Sequence, residues 1–228
     1  MTTVTTRVES PSDLRWRARV GLALLLPIGP AAVATLRYVM PYDTTDSSKE
    51  IARKVAEHQG AENAVVWLGF IAMLTLVPAV LTVAKLARRE SPKLAAVAVG
   101  LLVPAYVVLG WLVASDAAVL FSVRHGLSVE DAAASYENLH PGMLVAGVIF
   151  VVGHVLGTVL LGCALWRGSA VPRWAALVIA ISQPLHFVAA VIVASHELDL
   201  VAWGANAVGF GVVSLVLLGM SDEEWARH

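Results

Sequence analysis

Six apolar runs, each near the length of a membrane span, dominate this sequence: roughly 18–40, 63–86, 93–122, 142–166, 172–195 and 200–219. A helix rises 1.5 Å per residue, so about 20 apolar residues cross the ~30 Å of hydrocarbon in a bilayer. Hydrophobic residues make up 58% of the 228 and charged residues only 14%. The expected class is all-α, a polytopic membrane bundle of six transmembrane helices in one domain over 15–228, whose first partner is the lipid bilayer. Residues 1–14 are polar and read as a disordered arm. A net charge of −1 argues against a nucleic-acid partner. The single cysteine, Cys163, sits inside a span and is expected to be a buried, inert thiol.

Arg15, Arg17 and Arg19 precede GLALLLPIGPAAVA, which has the outline of a signal peptide. The apolar character continues through Met40, which favours a retained first helix. Pro27, Gly29 and Pro30 predict a break near its middle. With the N-terminus inside, the inner segments hold Arg7, Arg15, Arg17, Arg19, Lys85, Arg88, Arg89, Lys93, Arg167, Arg173 and Arg227. The outer segments hold only Arg37, Lys49, Arg53, Lys54 and Arg124. The positive-inside bias therefore places both termini in the cytoplasm.

The chain also matches itself. At an offset of 80, residues 48–116 overlie 128–196 without gaps, and 17 of 69 pairs are identical, where about six are expected by chance in a chain so rich in Ala, Val and Leu. The shared positions include Ser48/Ser128, Glu57/Glu137, Pro92/Pro172, Pro104/Pro184 and the Val-Ala-Ser runs 113–115 and 193–195. The implied unit is a short outer helix, a span down, a turn and a span up. Ser47 with Glu50, and Ser128 with Asp131, have capping-box spacing at the starts of the two short helices. Gly153 and Gly157 stand four apart on the fourth span, which permits close helix contact.

A duplication shows where one copy departs from the other. His154 stands where the first copy has Leu74, His186 where it has Tyr106, and Gln183 where it has Val103. Polar groups at mid-membrane are expensive and mark function. His154 and His186 fall at similar depth on sequential helices, with Gln183 one turn from His186. They suit an acid/base or ligand-binding pair, axial ligation of one haem, or histidines that merely satisfy neighbouring backbone. Asp116 is the only carboxylate within a predicted span, with Glu62 at the edge of the second. A poorly solvated carboxyl there can act as a general acid, or it caps its helix or pairs with His196. Tyr106, Phe150, Phe187, Trp67, Trp111 and Trp203 can line an apolar pocket or stabilise a carbocation, although interfacial indoles are usually anchors. Asn206, His140 and His196 complete the candidates. His196 lies ten residues beyond His186, about 15 Å of helix, so these histidines cannot converge on one metal ion. No metal is expected, although an outer site from His140, His196, Glu137 or Asp116 stays open beside the commoner reading of lone surface histidines.

The turn Leu165-Trp166-Arg167-Gly168-Ser169, then Pro172-Arg173-Trp174, carries a resemblance. With the Arg-rich start, the acidic segment after helix 1 and the basic turn after helix 2, the chain resembles a bacterial family of small integral membrane proteins of unknown function. The resemblance covers about 15–220 and implies a multi-pass protein of the bacterial cytoplasmic (inner) membrane, without an activity. There is a looser similarity to membrane-bound terpene cyclases, which protonate a prenyl chain with intramembrane acid pairs. The expected function is a membrane enzyme that isomerises or cyclises an isoprenoid- or polyketide-like molecule in an outward pocket. Asp116 or Glu62 would be the acid, His154 and His186 would position or exchange protons, and Gln183, Tyr106 and Asn206 would orient the substrate. A binder or transporter with the same pocket is the alternative, and a bis-histidine haem carrier the third. No cofactor is required by the first two, and an assembly of identical copies is compatible with all three.

Overall fold

The computed structural model describes residues 11–137 and 140–227. Those residues form ten α-helices and one π segment, with no strand among them. The expected arm lies outside the described residues as far as position 10, and helix begins at Pro11. The six predicted spans are present as segments long and apolar enough to cross a membrane.

The first span is broken as its prolines demand. α1 (Pro11–Leu25) ends at a turn through Pro27, and α2 (Ile28–Val39) continues beyond it. α3 (Ser48–Glu57) is the first short helix, and Ser47 caps it by accepting the Glu50 N–H. Lys54 ties the preceding loop to α3, with Nζ 2.7 Å from Asp46 and 3.4 Å from Asp43. The long helices α4 (Gln59–Ala87) and α5 (Pro92–Arg124) follow, with Pro92 in the first turn of α5, where its missing N–H costs nothing. The second short helix, α6 (Val129–Glu137), begins where Ser128 accepts the Asp131 N–H at 3.0 Å.

α7 (Gly142–Arg167) descends and α8 (Arg173–Phe187) returns. α8 then widens into a π segment, Val188–Val193, and stops at Ala194, which takes a left-handed φ of 54°. That backbone costs an L-residue about 1–2 kcal/mol. Ser195 then caps α9 (His196–Gly219), and α10 (Asp222–Arg227) closes the chain. At this end Lys85 sits over the Trp225 ring, and Arg19 bonds Asp222 and the last carbonyls of α9.

The spans form a ring. α2 packs on α4, α4 on α5, α5 on α7, α7 on α8, α8 on α9, and α9 closes back onto α2. Glycines set the closest approaches. A Cβ at Gly153 would stand 2.7 Å from the Leu101 carbonyl oxygen, and one at Gly162 would stand 2.7 Å from that of Ala176. The expected contact through Gly153 and Gly157 is therefore made, against α5. One apolar cluster, including Leu76, Leu102, Ile179 and Leu217, fills the ring. A second, including Met40, Ile51, Val65, Leu120 and Ala132, lies under α3 and α6, which pack on each other and cover one end. Cys163 departs from expectation. It is exposed, because its neighbours Gly162 and Ala164 take the inner face of α7.

Candidate functional site

Between the two apolar clusters lies a cavity of ≈ 290 Å³ on the ring axis, toward the α3/α6 end. Its walls are mainly apolar, and its polar groups come from separate helices: Asp116 on α5, His154 on α7, His186 on α8 and Arg37 on α2. Phe150, Phe187 and Trp203 also line it. Six of the candidates named from the sequence are thus brought to one space, from four helices, α5, α7, α8 and α9.

His186 is held firmly. Its Nδ1 bonds the Asp199 carboxylate, and the other oxygen of Asp199 lies 2.5 Å from Arg37 Nε. Arg37 reaches on to Thr44 Oγ1 at 2.9 Å. An imidazole whose Nδ1 proton is directed to a carboxylate keeps Nε2 as its free nitrogen and gains a stabiliser for its protonated form. The same logic holds at Asp116, where the Tyr42 hydroxyl donates to Oδ1 at 2.6 Å. Burial pushes the Tyr42 phenol well above its ordinary value, and the nearby Asp116 and Glu62 push it the same way. Tyr136, which also lines the cavity, is raised by burial and by the same two carboxylates. Glu62 and Asp116 therefore act on one pair of phenols under the short helices.

The histidine pair adjoins Trp203. His154 and His186 stand 5.3 Å apart by ring centroid, with Trp203 5.4 Å from His186 and 6.1 Å from His154. Phe150 stacks on His154 at 4.3 Å, and the His154 Nδ1 proton goes to the Phe150 carbonyl. Around these rings lie polar atoms with no hydrogen-bond partner among the described residues: His154 Nε2, both amide atoms of Gln183, Trp203 Nε1 and Asn206 Oδ1. Each such group costs about 1–3 kcal/mol. Glu62 is the extreme case, 0% exposed with neither oxygen partnered.

The remaining candidates stand elsewhere. Gln183, Asn206 and Tyr106 are buried in the ring but do not line the cavity. Trp67 and Trp111 are 61% and 50% exposed on the outside of the bundle. His140 is exposed and accepts the Gly142 N–H at the start of α7. His196 lies 3.0 Å from Asp43, in a shallow depression at the rim, and not beside Asp116. Among the described residues no three His, Cys, Asp or Glu side chains converge as a metal site.

Three site residues escaped the sequence reading: Asp199, Arg37 and Tyr42. Asp199 and Glu62 also correct the expectation that Asp116 is the only carboxylate within a span. α4 begins at Gln59 and α9 at His196, several residues before the apolar runs do, and both carboxylates are fully enclosed by neighbouring helices. The signal available was that Arg37 and Asp199 lie at matching ends of the first and last spans, the two that close the ring.

Residues 19–220 match the family model described as Domain of unknown function (DUF4386). No curated protein and no solved structure matches the chain.

Proposed function

We propose that this chain, which belongs to the Domain of unknown function (DUF4386) family, is an integral membrane enzyme acting on a hydrophobic small molecule. The ligand, isoprenoid- or polyketide-like, occupies the axial cavity and is isomerised or cyclised there by acid/base chemistry. One observation carries this reading. An apolar cavity presents both a carboxyl held by a phenol and an imidazole held by a carboxylate.

With Tyr42 occupying Oδ1, the proton of Asp116 sits on Oδ2 and is delivered to one carbon of an alkene. The π electrons form the new C–H bond, leaving a cation on the adjacent carbon. In cyclisation a second alkene closes on that carbon. Nε2 of His186 then removes a proton from a neighbouring carbon, whose C–H electrons restore a double bond. The molecular formula of the ligand is unchanged. Asp199 stabilises the imidazolium, and the faces of Phe150 and Trp203 stabilise the cation. Glu62 exchanges protons with Asp116, and His154 positions His186. The positive-inside bias puts the covered end of the cavity on the outer side of the membrane.

The second reading is a binder or transporter that uses the same cavity, with alternating access between the two repeated units. The haem reading does not fit, because axial ligands must flank a macrocycle and Phe150, His186 and Trp203 already crowd the His154 ring.

The test is to incubate the purified protein in nanodiscs with lipid extract from its native membrane and to follow chromatographic retention at constant mass. The enzyme reading expects a new species of unchanged mass with wild type, and none with Asp116→Asn or His186→Gln. A ligand that binds to all three proteins and is returned unaltered favours the transporter.

A further inference from the structure

We infer that the cavity opens sideways into the bilayer between α7 and the π segment, so that its ligand is a membrane-dissolved amphiphile taken up from the lipid. This rests on the reading above, that the cavity holds a ligand.

Three observations converge on this gap. First, α7 and α8 pack tightly only up to the histidines. Gly162 lies against Ala176 and Ala180, and His154 against His186, so the two antiparallel helices stay in register to that level. Beyond it the π segment packs on α9 and on the end of α8 but makes no comparable contact with α7. α7 follows α5 instead, with Gly142 against Trp111 at its start.

Second, the residues flanking the divergence both line the cavity and face outward. Phe187 and Val191 are 37% and 43% exposed on one side. On the other side, a Cβ added at the cavity-lining Gly147 would meet no atom within 4 Å. A wall that reaches both the interior and the exterior is the wall of a mouth.

Third, the mouth lies within the predicted spans. Leu144 and Val148 on α7 and Ile192 on the π segment surround it with exposed apolar side chains. Hydrocarbon, rather than water, meets such a surface. The π turn gives a physical reason for the divergence. Its wider coil shifts the end of the helix off the line that α8 sets, a common device at functional sites.

A ligand admitted here brings an apolar chain through a lipid-facing gap and presents its reactive end to Asp116 and His186. Water-soluble molecules of the same size do not share this route.

Thiol labelling in lipid vesicles tests it, with Cys163→Ser as background. Ala190→Cys places a thiol on the cavity wall, and Ile192→Cys places one on the lipid-facing surface. The probes are a long-chain alkyl maleimide, which dissolves in the bilayer, and a sulfonated maleimide, which does not. The alkyl reagent is expected to label the Ala190→Cys protein, and either Gly147→Phe or Val191→Phe, plugging the gap from opposite walls, is expected to slow it about tenfold. Labelling of the Ile192→Cys protein stays unchanged and reports that the plugged proteins are folded.

If neither plug slows the alkyl reagent, or the sulfonated one labels the cavity thiol faster, the sideways mouth is wrong and the cavity reading survives. If neither reagent reaches the cavity thiol while the surface thiol reacts, the inference and the ligand reading fall together.

Discussion

The imidazole of His186 is hydrogen-bonded through Nδ1 to the carboxylate of Asp199, 13 residues further along the chain and on the next helix. Arg37 holds the other oxygen of that carboxylate from the first span. This chain of three joins α2, α8 and α9, where the ring closes. It also fixes which nitrogen of His186 is left for the cavity.

Removing Asp199 takes the carboxylate from the part-buried Arg37 guanidinium, which keeps Thr44, and from the buried His186 imidazole, so Asp199→Ala is expected to destabilise the protein by about 1–3 kcal/mol. The paired change Arg37→Met with Asp199→Leu removes both charges and should be milder than Asp199→Ala alone. Unfolding midpoints in mixed micelles decide this. A double variant less stable than the single one would show that the pair contributes by more than mutual neutralisation.

Gln183 makes the opposite prediction. Both of its amide atoms are enclosed without a partner, so Gln183→Leu is expected to stabilise the fold by about 1–3 kcal/mol and, because Gln183 does not line the cavity, to leave ligand conversion in place. A lower melting temperature would mean that the amide is satisfied by ordered water and serves the fold.

Tyr42 gives a pH test. Burial, then the charges of Asp116 and Glu62, raise its phenol, so the fold favours the neutral form. That contribution is present below the ordinary value near 10 and is lost as pH rises through the higher folded-state value. The difference in tyrosinate absorbance between wild type and Tyr42→Phe should show no step at the ordinary phenol value near 10. A step near 10 would place Tyr42 in solvent.

Much of the fold was legible because the bilayer imposes it. Span length, the break of the first span at Pro27, and the capping serines 47 and 128 read directly from the sequence. The site was legible in part. His154, His186 and Asp116 stand out as polar residues where apolar ones are expected. Asp199 and Arg37 do not, because at the end of an apolar run an acid or a base looks like an interfacial residue, and only the closed ring shows them enclosed.

Local sequence also failed at one place. The run Val-Ala-Ser is helical at 113–115 and breaks at 193–195. α5 continues to Arg124, whereas after Ser195 the chain must reverse into α9. The turn imposed by the topology overrides the identical tripeptide.

A hydrophobic small molecule held in the axial cavity should leave with the purified protein. Mass spectrometry of organic extracts from the purified protein would compare wild type with Ala72→Phe and Ala190→Phe, which fill the cavity from α4 and the π segment. One amphiphile, enriched over bulk membrane lipid in wild type and lost from both folded variants, is the predicted result. Identical extracts from all three proteins would contradict it.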